Sequence, residues 1–495
     1  MPEPTLSQAD IDRYRDGADR FIAALDEEYY AHFAGLKETF ELEPIYREYA
    51  ALTELDQAIA IGEAVNGDRR TNELWRFACD GYLGSLTRSH EEKVAELEAS
   101  LEATVDGETI PFRMLRPAIM NEPDRAKRQR IEEARNRLVE EHMNPVYLEG
   151  VELTNAGARR LGADSYLDLH LRFGTKLHEL AAQCRDLLAS TEQAFETSAD
   201  KLFRKHAGVG LRDAERWDSS RVFRATSWDE GFPSAKMLPA LEGTLRDLGI
   251  DLHAQENVHL DLEARPLTTP RAFCAPIEIP GKVMLVIKPM GGFDDWRALF
   301  HEAGHTEHFA HTSPELSMEE RRLGDSAVTE GWAALLEHLT SEPAWLSRRL
   351  DFGDPRGLAS EGAVMLLWVA RRYSAKLLYE LEFHAGGDVT ALRERYVELL
   401  GDALKIEPSG TDYLSDIDGD FYVSAYLRSW AFEAQLRDHL RERYGNDWFA
   451  KREAGGLLRE LWSEGQRLPA EEFLKDVTGE TLEMRSVEER VREHL

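Results

Sequence analysis

Apolar residues recur at three- and four-residue intervals between charged residues from residue 5 to about residue 205, the spacing that predicts amphipathic helices. Ala18–Tyr30 and Leu177–Lys205 are clear examples. The segment Val105–Arg116 interrupts this pattern, and we expect a turn followed by a short extended piece there. The periodicity therefore predicts an N-terminal helical lobe, to which we assign residues 1–215.

The pattern changes after residue 207. Glycine, aspartate, serine and two tryptophans between residues 208 and 233 predict an irregular connection, and a helix is expected from Ser234 to Leu248, ended by Gly249. Three segments with alternating or β-branched residues then predict strands: Val258–Leu262, Ala272–Ile279 and Lys282–Lys288. Pro280-Gly281 between the last two is typical of a hairpin. We therefore predict a small antiparallel sheet.

Helical spacing resumes after residue 292 and continues almost to the end of the chain, with breaks expected around residues 313–314, 353–355 and 408–419. Residues 216–495 are therefore assigned to a second lobe, continuous with the first in one unit. The fold class that this pattern predicts is mainly α, with one small antiparallel sheet.

Composition narrows the possible partners. The 495 residues include 60 Lys plus Arg against 92 Asp plus Glu, a net charge of −32. Such acidity disfavours nucleic acids and anionic membrane surfaces. Cys79, Cys184 and Cys274 are 105 and 90 residues apart, which fits neither a CxxC metal site nor a disulfide framework. The longest apolar run has eight residues, and no secretory signal is evident. We therefore expect a soluble, cytoplasmic protein, and its oligomeric state is left open.

The residues His301-Glu302-Ala-Gly-His305 form an HExxH sequence within a predicted helix. Four residues advance a helix by about 400°, so both imidazoles lie on nearly the same face and can reach one zinc ion. Glu302 lies about 100° further round. From there its carboxylate can take a proton from a water molecule beside the metal, which is general-base catalysis of hydrolysis.

Two residues are candidates for the third zinc ligand. His311 has the HExxHxxxxxH spacing of metzincin endopeptidases, but those proteins need a glycine where this chain has His308. In a continuing helix His311 lies about 120° away from the face of His305. Glu330, 25 residues after His305, begins a second predicted helix that can pack against the first. Two histidines, one glutamate and one open position make a catalytic zinc site, which favours Glu330.

These motifs resemble known zinc peptidases. The HExxH-plus-glutamate arrangement is similar to that of gluzincins, and residues 299–305 (LFHEAGH) with His308 resemble the thimet oligopeptidase and oligoendopeptidase F family. Residues 421–426 (FYVSAY), with Ala434-Gln435 further along, resemble the YFPTY and AAQ segment of the related thermostable (Taq-type) carboxypeptidase family. Ser424 replaces the proline of that segment.

The resemblance implies two helical lobes that flank a deep channel, with one zinc ion per chain held by His301, His305 and Glu330. It also implies that Tyr422 and Tyr426, neighbours at i and i+4, project over the zinc. A tyrosine hydroxyl there can donate to the oxyanion that forms when water attacks a peptide carbonyl. The strand at 282–288 is expected to pair with the substrate backbone.

The residues therefore predict a zinc-dependent hydrolase with Glu302 as general base, and the resemblance implies that it is an oligopeptidase acting on short peptides. The alternative within this fold is a metallocarboxypeptidase, in which Arg428 would meet the substrate carboxylate. The alternative from another class is a non-catalytic peptide-binding protein that retains the zinc site. Asp325 and Glu337 are considered as partners of the zinc-binding histidines, although for Glu337 a charge on the helix surface is favoured.

Overall fold

The chain is mainly α-helical in the computed structural model, which describes residues 6–263, 265, 267–269 and 271–495. The helices before residue 230 are α1 (Gln8–Phe33), α2 (Glu43–Glu48), α3 (Leu55–Ala64), α4 (Arg69–Ser100), α5 (Phe112–Asn121), α6 (Arg125–Leu138), α7 (Asn144–Arg160), α8 (Tyr166–Arg172), α9 (Leu177–His206) and α10 (Arg216–Arg224). The predicted helical character of this part is confirmed. The irregular connection predicted for residues 208–233 is wrong in one respect, because α10 lies within it and is held by the buried Asp218, which pairs with Arg125 and Arg128.

The later helices are α11 (Met237–Asp247), α12 (Phe293–His311), α13 (Ser326–Glu337), α14 (Pro343–Arg349), α15 (Pro355–Phe383), α16 (Arg393–Leu404), α17 (Tyr422–Tyr444), α18 (Arg452–Trp462), α19 (Ala470–Thr478) and α20 (Arg485–Arg492). The helix predicted before Gly249 and the three predicted breaks are all observed. One contiguous hydrophobic core includes Leu74 of α4, Leu180 of α9, Trp296 of α12 and Leu436 of α17. Segments from both predicted lobes therefore share a core.

Two small sheets accompany the helices. The strands β1 (Glu102–Val105) and β2 (Glu108–Pro111) form a hairpin within the predicted interruption of the first lobe. Asp106 and Gly107 connect them, both with positive φ, as a two-residue hairpin turn requires.

The second sheet consists of β3 (Val258–Asp261), β4 (Phe273–Glu278) and β5 (Lys282–Val286), in the order β3-β5-β4. The predicted hairpin is confirmed, because β4 and β5 pair antiparallel across Pro280-Gly281. However, β3 pairs parallel with β5, so the sheet is mixed rather than antiparallel throughout. The central strand is β5, and α12 packs against this sheet.

Among the described residues, no helix combines the length and the apolar character needed to cross a lipid bilayer.

Candidate active site

The HExxH segment lies in the middle of α12. Trp296 and Phe300 on one face of this helix are fully buried, which fixes the rotation of the helix about its axis. The helix begins after Gly292, whose φ of 89° lies in the left-handed region. Asp295 in the first turn accepts hydrogen bonds from the backbone N–H groups of Met290 and Gly291 at 2.9 and 2.8 Å. These bonds tie the start of α12 to the loop that precedes it.

Gly304, inside the motif, allows α12 to approach α13 closely. A Cβ atom at this position would lie 2.5 Å from the carbonyl oxygen of Trp332 and 2.6 Å from the Cα of Ala333. Both are backbone atoms, so a side chain could be accommodated only if the helices separated. The close contact brings Glu330 of α13 next to the histidines of α12.

We expect Gly304→Ala to destabilise the protein by about 1–3 kcal/mol, the usual effect of overpacking, and to move Glu330 of α13 away from His301 and His305, which would weaken metal binding by these three residues. Thermal unfolding followed by circular dichroism measures the first effect, and metal analysis measures the second. Gly84 is the matched control, since it lies within α4 and a Cβ there would meet nothing within 4 Å. An equal decrease in Tm for Gly84→Ala would contradict the assignment of a special role to Gly304.

Three side chains converge between α12 and α13. The Nε2 atoms of His301 and His305 lie 3.4 and 3.8 Å from Oε2 of Glu330. One potential ligand atom from each residue lies within 4.8 Å of the others. Glu330 is only 6% exposed, and its Oε2 is a buried acceptor without a hydrogen-bond donor among the described residues. Such an orphaned acceptor, facing two imidazole nitrogens, fits a metal ion with these three ligands.

Each histidine is oriented through its other ring nitrogen. Nδ1 of His301 lies 2.9 Å from Oε2 of Glu337, which is also ion-paired with Arg297, and Nδ1 of His305 lies 2.9 Å from Oγ1 of Thr329. A carboxylate only accepts hydrogen bonds, so the proton of His301 belongs on Nδ1 and Nε2 keeps its lone pair. The preference for Glu337 as a charge on the helix surface was therefore wrong. It is a positioning partner of His301, as in many metal sites.

Glu302 lies beside these residues with one oxygen held in place. Its Oε2 accepts a hydrogen bond of 2.9 Å from the backbone N–H of Cys274 in β4. Burial raises the pKa of Glu302 to about 7, against the opposing charge of His301. The hydrogen bond fixes the carboxylate plane, and the hydrogen bonds of the described residues leave Oε1 without a donor.

A cavity of about 490 Å³ opens next to this cluster and is lined by His301, Glu302 and Glu330, together with Tyr426. Tyr426 packs against the ring of Tyr422, with ring centroids 5.1 Å apart. The two tyrosines differ in their surroundings. The hydroxyl of Tyr422 donates to Oε1 of Glu330 at 2.6 Å, whereas Tyr426 lines the cavity. Tyr422 therefore holds Glu330, and Tyr426 faces the space where a ligand would lie.

Other candidate residues from the sequence lie elsewhere. Nδ1 of His311 donates to the backbone carbonyl of Glu307 at 2.9 Å, and its ring packs against Trp462, so it points away from Glu330. Asp325 caps α13 and pairs with Arg428. Arg428 also pairs with Glu471. Asp325 is thus not a partner of His301 or His305, and Arg428 is neutralised by two carboxylates.

Both β4 and β5 pack against α12, but they differ in whether their backbone is open to a substrate. β5 pairs with β3 on one side and with β4 on the other, so its backbone has no open edge. β4 lies at the edge of the sheet, and it turns the N–H of Cys274 towards Glu302. The expectation for residues 282–288 is therefore corrected, because β4 is the edge strand on the side of Glu302. The carbonyls of Pro276 and Ile277 in β4 accept hydrogen bonds from Arg322, so the open part of this edge lies before them.

Glu337 was considered from the sequence as a histidine partner but was not favoured, and Thr329 was not considered. Glu337 follows Glu330 by seven residues, about two helical turns, and therefore lies on the same face of α13. Thr329 has no comparable signal, because it precedes Glu330 directly and adjacent residues normally point in different directions.

The chain matches no protein-family model and no sequence among the curated proteins. It is similar in structure to the crystal structure of the "putative oligoendopeptidase F" from Bacillus anthracis str. Ames, with a TM-score of 0.57 and 16% sequence identity. The likeness covers 98% of this chain and 85% of that chain. At this identity it establishes a shared, mainly α fold.

Proposed function

We propose that this protein, which has an oligoendopeptidase F-like fold, is a zinc-dependent metallopeptidase that hydrolyses short peptides. One observation carries the proposal. The buried Oε2 of Glu330 lacks a donor among the described residues and faces Nε2 of both His301 and His305. Glu302, a suitable base, lines the same cavity. The name of the structural neighbour supports a peptidase over other hydrolases.

His301, His305 and Glu330 would hold one zinc ion per chain. This set of two nitrogens and one carboxylate is typical of catalytic zinc sites, which keep a further position open. Zinc, when bound, supplies a Lewis acid that polarises the scissile carbonyl and lowers the pKa of water. The hydrogen bonds of Glu337 and Thr329 keep both imidazoles turned towards this position.

Glu302 acts as the general base in this proposal. Its Oε1 takes a proton from the attacking water while Oε2 remains bound to the N–H of Cys274. Glu302 then delivers the proton to the nitrogen of the leaving amine, so the carboxylate is regenerated at the end of each cycle. The backbone hydrogen bond keeps the carboxylate in one orientation during both transfers.

The two tyrosines have separate roles. Tyr426 lines the cavity, and its hydroxyl would donate to the carbonyl oxygen of the substrate as negative charge develops there. Tyr422 is a positioning residue, because its hydroxyl is already engaged by Glu330. The site residues all belong to residues 216–495, which we propose as the catalytic lobe, with residues 1–215 as the N-terminal lobe.

The substrate is proposed to be an extended short peptide that pairs with the open edge of β4. Backbone pairing of this kind is independent of sequence and suits a peptidase with varied substrates. A cavity of about 490 Å³ has the volume for a few residues and not for a folded protein.

A carboxypeptidase is the second candidate, because three arginines line the same cavity. Arg297 and Arg490 are ion-paired with Glu337 and Glu433, whereas Arg271, just before β4, is exposed. A guanidinium group in the cavity is suited to bind the C-terminal carboxylate of a peptide.

Digestion of a ladder of peptides, with the products identified by mass spectrometry, tests the proposal. We expect internal cleavage that stops when a chelator removes the metal and returns when zinc is added. Release of single C-terminal residues would instead identify a carboxypeptidase. If the protein retains one zinc ion per chain and cleaves no member of a diverse library, a non-catalytic peptide-binding role is the better account.

A further inference from the structure

A second cluster of potential metal ligands lies outside the HExxH centre. It consists of Asp80 on α4, His170 on α8 and Asp420 just before α17, with one ligand atom from each within 4.8 Å of the others. Nε2 of His170 lies 3.5 Å from Oδ1 of Asp420. The three residues come from distant parts of the sequence and meet only in the folded chain.

His170 is the most informative member of this cluster. Its side chain is 0% exposed, and neither ring nitrogen has a hydrogen-bond partner among the described residues. The rings of Tyr166, Phe173 and Phe421 surround it, with centroids 4.6, 5.4 and 5.0 Å away. A buried polar group without a partner is costly, by about 1–3 kcal/mol, so the site lacks a group that would bind the imidazole.

The carboxylates of the cluster are only partly neutralised. Oδ2 of Asp420 is ion-paired with Arg76, but Oδ1 is a buried acceptor without a donor among the described residues. Arg76 also lies 4.0 Å from Asp80. Burial raises the pKa of Asp80 well above its usual range, and the charge of Asp420 raises it further. Burial raises the pKa of Glu73 on the same helix to about 7. Asp80 and Asp420 thus share one guanidinium group, which leaves one carboxylate without a compensating positive charge.

We propose that Asp80, His170 and Asp420 bind a second cation, a divalent first-row transition metal. These ions readily bind a mixed set of one imidazole nitrogen and two carboxylate oxygens, whereas Ca²⁺ and Mg²⁺ prefer oxygen ligands alone. Oδ1 of Asp420 would be the ligand, while Oδ2 stays with Arg76.

The geometry allows a cation to enter. The side chains of Asp80 and Asp420 are 36% and 35% exposed, so they form the open side of the site, and the buried His170 forms its base. Asp420 and Phe421 both have positive φ, of 60° and 50°. A bound cation would stabilise this otherwise unfavourable backbone conformation. The turn leads directly into Tyr422, whose hydroxyl donates to Glu330 in the first centre.

The test uses the full-length chain and Zn²⁺ as the probe. The background is His305→Ala, which removes a ligand of the HExxH centre and leaves the second cluster intact. After loading with Zn²⁺ and removal of unbound metal by gel filtration, we expect one zinc ion per chain in this variant and two in the wild type. Adding Asp420→Asn or His170→Gln to His305→Ala should eliminate the remaining ion. Zn²⁺ should raise the Tm of His305→Ala and not that of the double variants.

Glu92→Gln in the same background is the matched control, because it removes one exposed carboxylate from α4 and should leave the zinc ion in place. If His170→Gln does not fold, Asp80→Asn at the more exposed position gives the same information. The proposal is overturned if folded His305→Ala binds no zinc, or if the ion persists after Asp420→Asn. Asp420→Asn in the wild-type background separates the two centres. This variant should keep one zinc ion, bound at the HExxH centre. If it binds no zinc, the HExxH centre does not hold a zinc ion under these conditions.

Discussion

Glu302→Gln is expected to abolish peptide hydrolysis while the zinc content of the protein stays unchanged. Glutamine has nearly the same shape and can still accept the hydrogen bond from the N–H of Cys274, but it cannot take a proton from water. Loss of a general base lowers kcat by about 10²–10⁴-fold. The measurement is kcat with a fluorogenic short peptide, together with zinc analysis of the same preparation.

The matched control for this variant is Glu307→Gln. Glu307 lies on the same helix and is also fully buried, and burial raises its pKa to about 7 as well, but it is bound by Gln255 rather than facing the cavity. Its substitution should leave kcat within a few-fold of the wild type. Loss of zinc from Glu302→Gln would show that Glu302 is a ligand, and full activity would show that another group is the base.

The features of this site that depend on the helical repeat of neighbouring residues could be predicted from the sequence. The positions of His301 and His305, one helical turn apart, already place both imidazoles on one face of α12. Glu330 could be selected over His311 because helix geometry turns His311 away from that face, and the structure places the two residues accordingly. The mainly α fold also followed from periodicity, since long amphipathic helices such as α1, α4 and α9 make up much of it.

Features that depend on tertiary packing could not be predicted in this way. The parallel pairing of β3 with β5 requires knowledge of strand order, which the hydrophobic pattern of three short strands does not contain. Charged residues on a helix are usually exposed, so Glu337 was expected at the surface. It is instead half-buried and held by Arg297 and His301 of the neighbouring helix.

The cluster of Asp80, His170 and Asp420 also depends on tertiary packing and could not be predicted from the sequence. Asp80 and His170 are 90 residues apart, and Asp420 follows 250 residues later, so no motif connects them. The observation that identifies them is physical rather than sequential. A buried imidazole with two nitrogens that lack partners is unusual in a packed protein, and the structure brings two incompletely neutralised carboxylates to it.

Glu330→Ala is expected to remove most of the zinc from the HExxH centre and, with it, the activity. Loss of an outer partner of a ligand typically lowers metal affinity by about 10–100-fold, and loss of a ligand itself should exceed this. Equilibrium competition with a chromogenic chelator measures the affinity. Tyr422→Phe removes only the hydroxyl that donates to Oε1 of Glu330, so its affinity should decrease by about 10–100-fold.

The stability of the metal-free variant distinguishes loss of a ligand from loss of the fold. In the absence of metal, Glu330 is a buried carboxylate with one unpartnered oxygen, and such groups usually destabilise a protein. Removing it relieves that cost but leaves the hydroxyl of Tyr422 without its acceptor, so the two effects oppose each other and the Tm of the metal-free protein should change little. The increase in Tm on adding zinc should be smaller than in the wild type. His311→Ala should alter neither quantity, because its ring is turned towards Trp462. If His311→Ala loses zinc and Glu330→Ala keeps it, the third ligand is His311, and the geometry between α12 and α13 serves packing alone.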